Sequence, residues 1–115
     1  MVLGFLEIPE RSRKPRTQGI TMVLDKGLGY NAARDLMEAK EWIDVIKLGW
    51  GTPLLFSETF LKKKIALYRE NEIEVSNGGT LLEIVYAKGK IDKFFEKAKE
   101  LGLTTICLLY TSDAA

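Results

Sequence analysis

The chain has 115 residues, enough for one ordinary domain, and a composition of 46% hydrophobic and 29% charged residues, as in globular proteins. A formal net charge of +1 gives no basis for general polyanion binding, so nucleic acid is not an expected partner. With no histidine and a single cysteine, Cys107, the segment cannot build a Ser–His or Cys–His pair, an internal disulfide or a multi-cysteine zinc site.

Acid–base work therefore falls to Lys, Asp, Glu or Tyr, and any metal is expected to be a hard ion held by oxygen, such as Mg²⁺. No apolar run reaches the roughly 18 residues of a membrane span. Met1 to Ile8 is short and interrupted by Glu7, so it does not read as a signal peptide. No membrane partner is expected, and the cytoplasm is the expected location.

In chain order, the basic cluster Arg11-Ser12-Arg13-Lys14-Pro15-Arg16 reads as a solvated N-terminal arm. Ile20 to Leu24 reads as a buried strand punctuated by Gly27 and Gly29. Asn31 offers a cap for a helix with apolar positions Ala32, Ala33, Leu36 and Met37. Trp42 to Leu48 reads as a second strand closed by Gly49 and Gly51. Ser57 caps a helix carrying Phe60, Leu61, Ile65 and Tyr68, with Lys62, Lys63 and Lys64 partly on its wet face. Ile73 to Ser76 is a third strand, ended by Asn77-Gly78-Gly79. Thr80 to Lys88 reads as a short helix. After Gly89, the stripe Ile91, Phe94, Phe95, Ala98 and Leu101 predicts a core-facing helix stopped by Gly102. Leu103 to Ile106 would open a fourth strand.

Strands alternating with helices imply an α/β fold with a parallel sheet. The strand interval of about 25 to 30 residues suits a (β/α)₈ barrel, and a doubly wound sheet fits the alternation as well. Neither a G-x-G-x-x-G fingerprint nor a P-loop is present, which weakens the nucleotide-binding version.

In such folds function gathers at the carboxyl ends of the strands. Those ends carry Asp25-Lys26-Gly27, Lys47-Leu48-Gly49-Trp50-Gly51-Thr52 and Asn77-Gly78-Gly79-Thr80, with Glu83 a helical turn further on. Lys26 and Lys47 can pair with anions. Gly78 and Gly79 let backbone amides approach an oxyanion at a helix start. Thr52 and Thr80 can donate hydrogen bonds, and Asp25 and Glu83 can hold Mg²⁺. Singly, each is more often a solvated lysine or a plain turn. Their convergence on three successive strand ends favours a site. Trp50 either walls that site or packs, and Asp44 is read as facing a helix with no chemical role.

These same segments resemble phosphosulfolactate synthases, in order and spacing: Gly19 to Gly27, Ile43 to Thr52 and Gly78 to Glu83, with the Leu-Gly-Leu before the fourth strand. The likeness runs from about residue 4 to 106. Asn77 departs from the family pattern, which has proline there; that alters the loop but not the anion-facing amides.

The resemblance implies the N-terminal half of a (β/α)₈ barrel over residues 1–106. It also implies a Mg²⁺-dependent addition of sulfite to phosphoenolpyruvate giving (2R)-phospho-3-sulfolactate, an entry to coenzyme M or sulfolactate. Lys26 and Lys47 would be catalytic, Trp50, Gly51, Thr52, Gly78, Gly79 and Thr80 substrate-binding, and Asp25 and Glu83 metal ligands. The full-length protein is a candidate homo-oligomer.

Such a barrel takes about 250 residues, so the chain is expected to be a piece of the enzyme and inactive alone. Residues 107–115 do not resemble the family. They are similar to a translated sequencing adapter and are expected to be a non-native tail. The rival readings are another barrel enzyme of phosphorylated carboxylates or sugars, and a non-catalytic homologue of the plant heat-stress type.

Overall fold

The computed structural model describes residues 2–107. Three short strands, β1 (Met22–Asp25), β2 (Val45–Leu48) and β3 (Glu74–Ser76), form a parallel sheet in the order β1-β2-β3. Four helices accompany them: α1 (Tyr30–Leu36), α2 (Glu58–Glu70), α3 (Gly79–Ala87) and α4 (Ile91–Leu101). Alternation thus yields the parallel α/β arrangement expected of it.

In register, Val23 pairs with Ile46 and Ile46 with Val75, whereas Leu24 pairs with Lys47 and Lys47 with Ser76. Side chains alternate across a strand, so these two rows lie on opposite faces. Ile46, Leu48 and Val75 join Ala33, Met37, Ile43, Ile65, Tyr68 and Ile73 in the core beneath the helices. On the other face Met22 and Leu24 are 51% and 39% exposed. In a barrel that face points inward.

The helix signals hold unevenly. Ser57 caps α2 as expected, its Oγ accepting from Phe60 N–H at 3.2 Å. Gly102 stops α4 in the left-handed region (φ +97°), where an added Cβ would stand 3.1 Å from Ile65. Asn31, in contrast, caps nothing. Extended Gly29 is the cap of α1, and its carbonyl accepts from Ala33 N–H at 3.0 Å, so Asn31 lies inside the first turn. Trp42 is not in the second strand: a 3₁₀ segment, Met37–Trp42, follows α1 and leaves that indole half exposed. On α4 the stripe is only partly core; Ala98 is buried but Phe95 is 43% exposed. Beyond α4, the expected fourth strand is reduced among the described residues to one parallel bridge, Ser76 to Thr105. The expected tail lies outside the described residues except for Cys107.

The basic arm is not a solvated appendage. Arg16 and Arg11 meet the buried Asp44 carboxylate at 2.8 and 3.3 Å, and Lys14 Nζ donates to Lys40 O at 2.8 Å. Asp44 also accepts from Thr21 N–H at 2.8 Å. Asp44 directly precedes β2 and Thr21 directly precedes β1, so the arm seals the amino ends of the strands, opposite the rim where a site is sought. On the outer surface, Glu58, Lys62, Lys97 and Glu100 link α2 to α4, and the bonds from Lys97 and then Lys62 bring the Glu58 carboxyl down to about 2. Exposed pairs of this kind contribute little to stability.

Candidate anion site at the carboxyl ends of the strands

Trp50 is the hub of the rim. It stands just beyond β2 with a left-handed backbone (φ 48°), the residue 52% exposed. Lys26, one residue past β1, places its ammonium 5.6 Å from the centre of that ring. Gly78, just past β3, lies against the Trp50 backbone: a Cβ there would stand 2.5 Å from Trp50 N and 2.8 Å from Leu48 O. The three strand ends therefore meet, as the spacing predicted.

Thr52 is fixed beside them. Its Oγ1 donates to Gly49 O at 2.8 Å, which leaves the oxygen as an acceptor rather than the free donor expected. Its methyl group lies beside Gly27, whose φ of +108° suits glycine. Gly51 caps the 3₁₀ turn Thr52–Leu55. Gly79 and Thr80 open α3, whose cap makes no side-chain bond, so their amides precede the first intrahelical acceptor. Lys47 occupies the inner face, half-buried, in register with Leu24 and Ser76. Its Nζ lies 3.8 Å from Cys107 Sγ.

The expected metal pair is not assembled. Alternation turns Asp25 toward the helices, away from the inner face, and it is 1% exposed. Its Oδ1 accepts from Gly27 and Leu28 N–H at 2.9 and 2.7 Å. Its Oδ2 accepts from Tyr68 Oη at 2.8 Å and Lys64 Nζ at 2.9 Å. Four donors saturate both oxygens. Glu83 is exposed on α3, and no group of three or more His, Cys, Asp or Glu among the described residues could hold a metal. Asp25 is corrected from a metal ligand to the anchor of its loop, and these residues do not fit a magnesium site.

Burial alone would raise the Asp25 carboxyl, but bonds from Leu28, Lys64, Gly27 and Tyr68 outweigh it and hold the group below the usual carboxylate range. Burial, then the Asp25 bond, pushes the Tyr68 phenol up. At Asp44 burial is likewise outweighed by Thr21 N–H, Arg16 and Arg11, again lowering the carboxyl. A depressed folded-state value contributes stability above the unfolded value of about 3.9, and the contribution disappears as pH falls through the folded value. Urea unfolding of the full-length protein should thus have a midpoint that is level from pH 7 to about 5 and falls below about pH 4. A midpoint unchanged down to about pH 2.5 would contradict this assignment.

Lys64, expected partly on the wet face with Lys62 and Lys63, is buried instead. It is 1% exposed, on the same stripe as Leu61, Ile65 and Tyr68. Its spacing, three after Leu61 and four before Tyr68, was the available signal. Asn77 is also buried: its Nδ2 donates to Gly78 O and Cys107 O, and its Oδ1 accepts from Cys107 N–H. Asn77 thus tethers the segment approaching β3.

Comparison with known proteins identifies the family. The model of the (2R)-phospho-3-sulfolactate synthase family matches residues 9–110. Phosphosulfolactate synthase of Methanothermobacter thermautotrophicus is 48% identical over 85% of the chain and 38% of its own length. The Methanocaldococcus jannaschii protein of that name is 39% identical over 77% of the chain and 36% of its own length. That of Bacillus subtilis is 37% identical over 84% of the chain and 38% of its own length. The chain therefore spans little more than a third of these relatives. With its parallel sheet and lysine-bearing rim, it belongs to the phosphosulfolactate synthase family of α/β barrels, of which it supplies a part.

Proposed function

We propose that the full-length enzyme containing this segment adds sulfite to phosphoenolpyruvate to give (2R)-phospho-3-sulfolactate, acting as a carbon–sulfur lyase in the cytoplasm. The observation that carries this reading is the meeting of Lys26, Trp50 and Gly78 at one rim, above the inward-facing Lys47. Sulfite sulfur attacks the methylene carbon, the double-bond electrons move into the carboxylate, and a proton is then added at C2. Both reactants are anions, so positive charge must gather where they meet. Lys26 and Lys47 supply it, and it counts most as the enediolate-like charge develops. Amides of Gly79 and Thr80 add donors at the start of α3.

No step is assigned to a metal here. A magnesium ion required by the whole enzyme would draw its ligands mainly from outside the described residues. The proton donor at C2 is a lysine, Lys47 by its position, or a group on the later strands. The segment alone, with one sheet face uncovered, is proposed to be inactive.

The test is consumption of phosphoenolpyruvate by the full-length protein with and without sulfite. Sulfite-dependent loss with formation of the sulfonated product supports the reading. Turnover of a different phosphorylated carboxylate or sugar, indifferent to sulfite, would select the rival barrel enzyme, and binding without turnover would select a non-catalytic homologue.

A further inference from the structure

The loop that carries Lys26 is fastened from beneath by groups that the reaction does not touch. Lys64 Nζ donates to Leu28 O at 2.8 Å and pairs with Asp25 at 2.9 Å, while Asp25 accepts the N–H groups of Gly27 and Leu28. Tyr68 Oη closes the fourth contact to that carboxylate at 2.8 Å. The same ammonium lies 4.9 Å from the centre of the Phe56 ring and 5.7 Å from that of Phe60, and these two rings stack on each other. Phe56 ends the 3₁₀ turn that follows Trp50 and Gly51. One buried cation therefore touches both rim loops. A buried ion pair stabilises little more than apolar packing of the same volume would, but it imposes direction on every group bonded to it.

We propose that Lys64 is a positioning residue for the anion site: with Asp25 and Tyr68 it fixes the backbone of residues 26–28 relative to Phe56, so that Lys26 and Trp50 stand together before substrate arrives. This rests on the reading of the rim as the anion site. It assigns work to a lysine on the helix layer that never meets the substrate, and it explains why the Asp of the Asp-Lys-Gly segment is turned away from the inner face.

The test uses the full-length protein. Lys64→Met leaves the Asp25 carboxylate buried without its cation, so a charge-neutral double variant, Lys64→Met with Asp25→Asn, is made alongside to preserve folding. Ile73→Val, which trims the core away from the rim, serves as the control for simple destabilisation. The expected result is a KM for phosphoenolpyruvate raised about tenfold or more in both Lys64 variants, with a smaller change in kcat. Amide exchange at Gly27 and Leu28 should also be accelerated about tenfold or more. Ile73→Val should alter neither. A folded double variant with unaltered KM and unaltered exchange at those two amides overturns the proposal. The exchange readout needs no turnover. If the unaltered protein shows no sulfite-dependent reaction, the functional reading fails, and the two amides still decide the positioning role.

Discussion

Lys47→Met in the full-length enzyme should lower kcat/KM for sulfite-dependent use of phosphoenolpyruvate by about a hundredfold or more, with little loss of stability. Lys47 sits on the inner face of the central strand, between Leu24 and Ser76 in register. Methionine preserves most of the stem and removes only the charge. Among the described residues the ammonium makes a weak 3.8 Å approach to Cys107 Sγ, so the fold loses little. If the charge acts on developing negative charge, kcat falls along with kcat/KM; if it only gathers substrate, KM alone rises. Steady-state kinetics over both substrates reads the difference, and a kcat/KM within about threefold of the unaltered enzyme would remove Lys47 from the site.

Gly78→Ala should destabilise the full-length protein by about 3 kcal/mol and weaken binding at the rim as well. The backbone at Gly78 (φ −82°, ψ 148°) is open to any residue, so the requirement is one of space. The added Cβ would meet Trp50 N at 2.5 Å, Trp50 O at 2.7 Å and Leu48 O at 2.8 Å. All three are main-chain atoms, and no side chain can rotate out of the way. The β2 and β3 ends would separate, moving Trp50 from Lys26. Gly29→Ala is the matched comparison, because nothing lies within 4 Å of its Cβ and its φ is −68°. It should change stability by less than about 0.5 kcal/mol. Urea unfolding measures both; equal, small effects would contradict the requirement for glycine at position 78.

Much of the architecture was legible because it depends on period and punctuation. Val23 and Ile46 on β1 and β2, the Ser57 cap and the Gly102 stop follow from local rules and appear where those rules place them. The rim was legible for the same reason: three strand ends rich in glycine and lysine had to fall on one side of a parallel sheet. What stayed hidden depended on which way a polar side chain turns. Asp25 and Lys26 are neighbours in sequence, yet the pleat sends one toward the helices and leaves the other exposed at the rim beside Trp50. Asp25 shares a face with Val23, which turns its carboxylate away from any ligand position on the inner face. Lys62, Lys63 and Lys64 are consecutive and read as partly on the wet face, yet only Lys64 falls on the buried stripe. The arm's packing is hidden from the sequence because its partner, Asp44, is 28 residues from Arg16, and no local pattern announces that pair. Asn31 lost its cap to Gly29, two residues earlier, which adopts the extended conformation a cap needs.

The central claim is that the rim is an anion site built around Lys26 and Lys47, and a crystal structure of the full-length protein with phosphoenolpyruvate bound tests it most directly. The account predicts phosphate or carboxylate oxygens within about 3 Å of the Lys26 and Lys47 ammonium groups, beside the Trp50 ring and the amides that open α3. Asp25 should remain bonded to Lys64 and Tyr68. Substrate bound elsewhere on the barrel, or Asp25 swung out to meet it, would contradict the account.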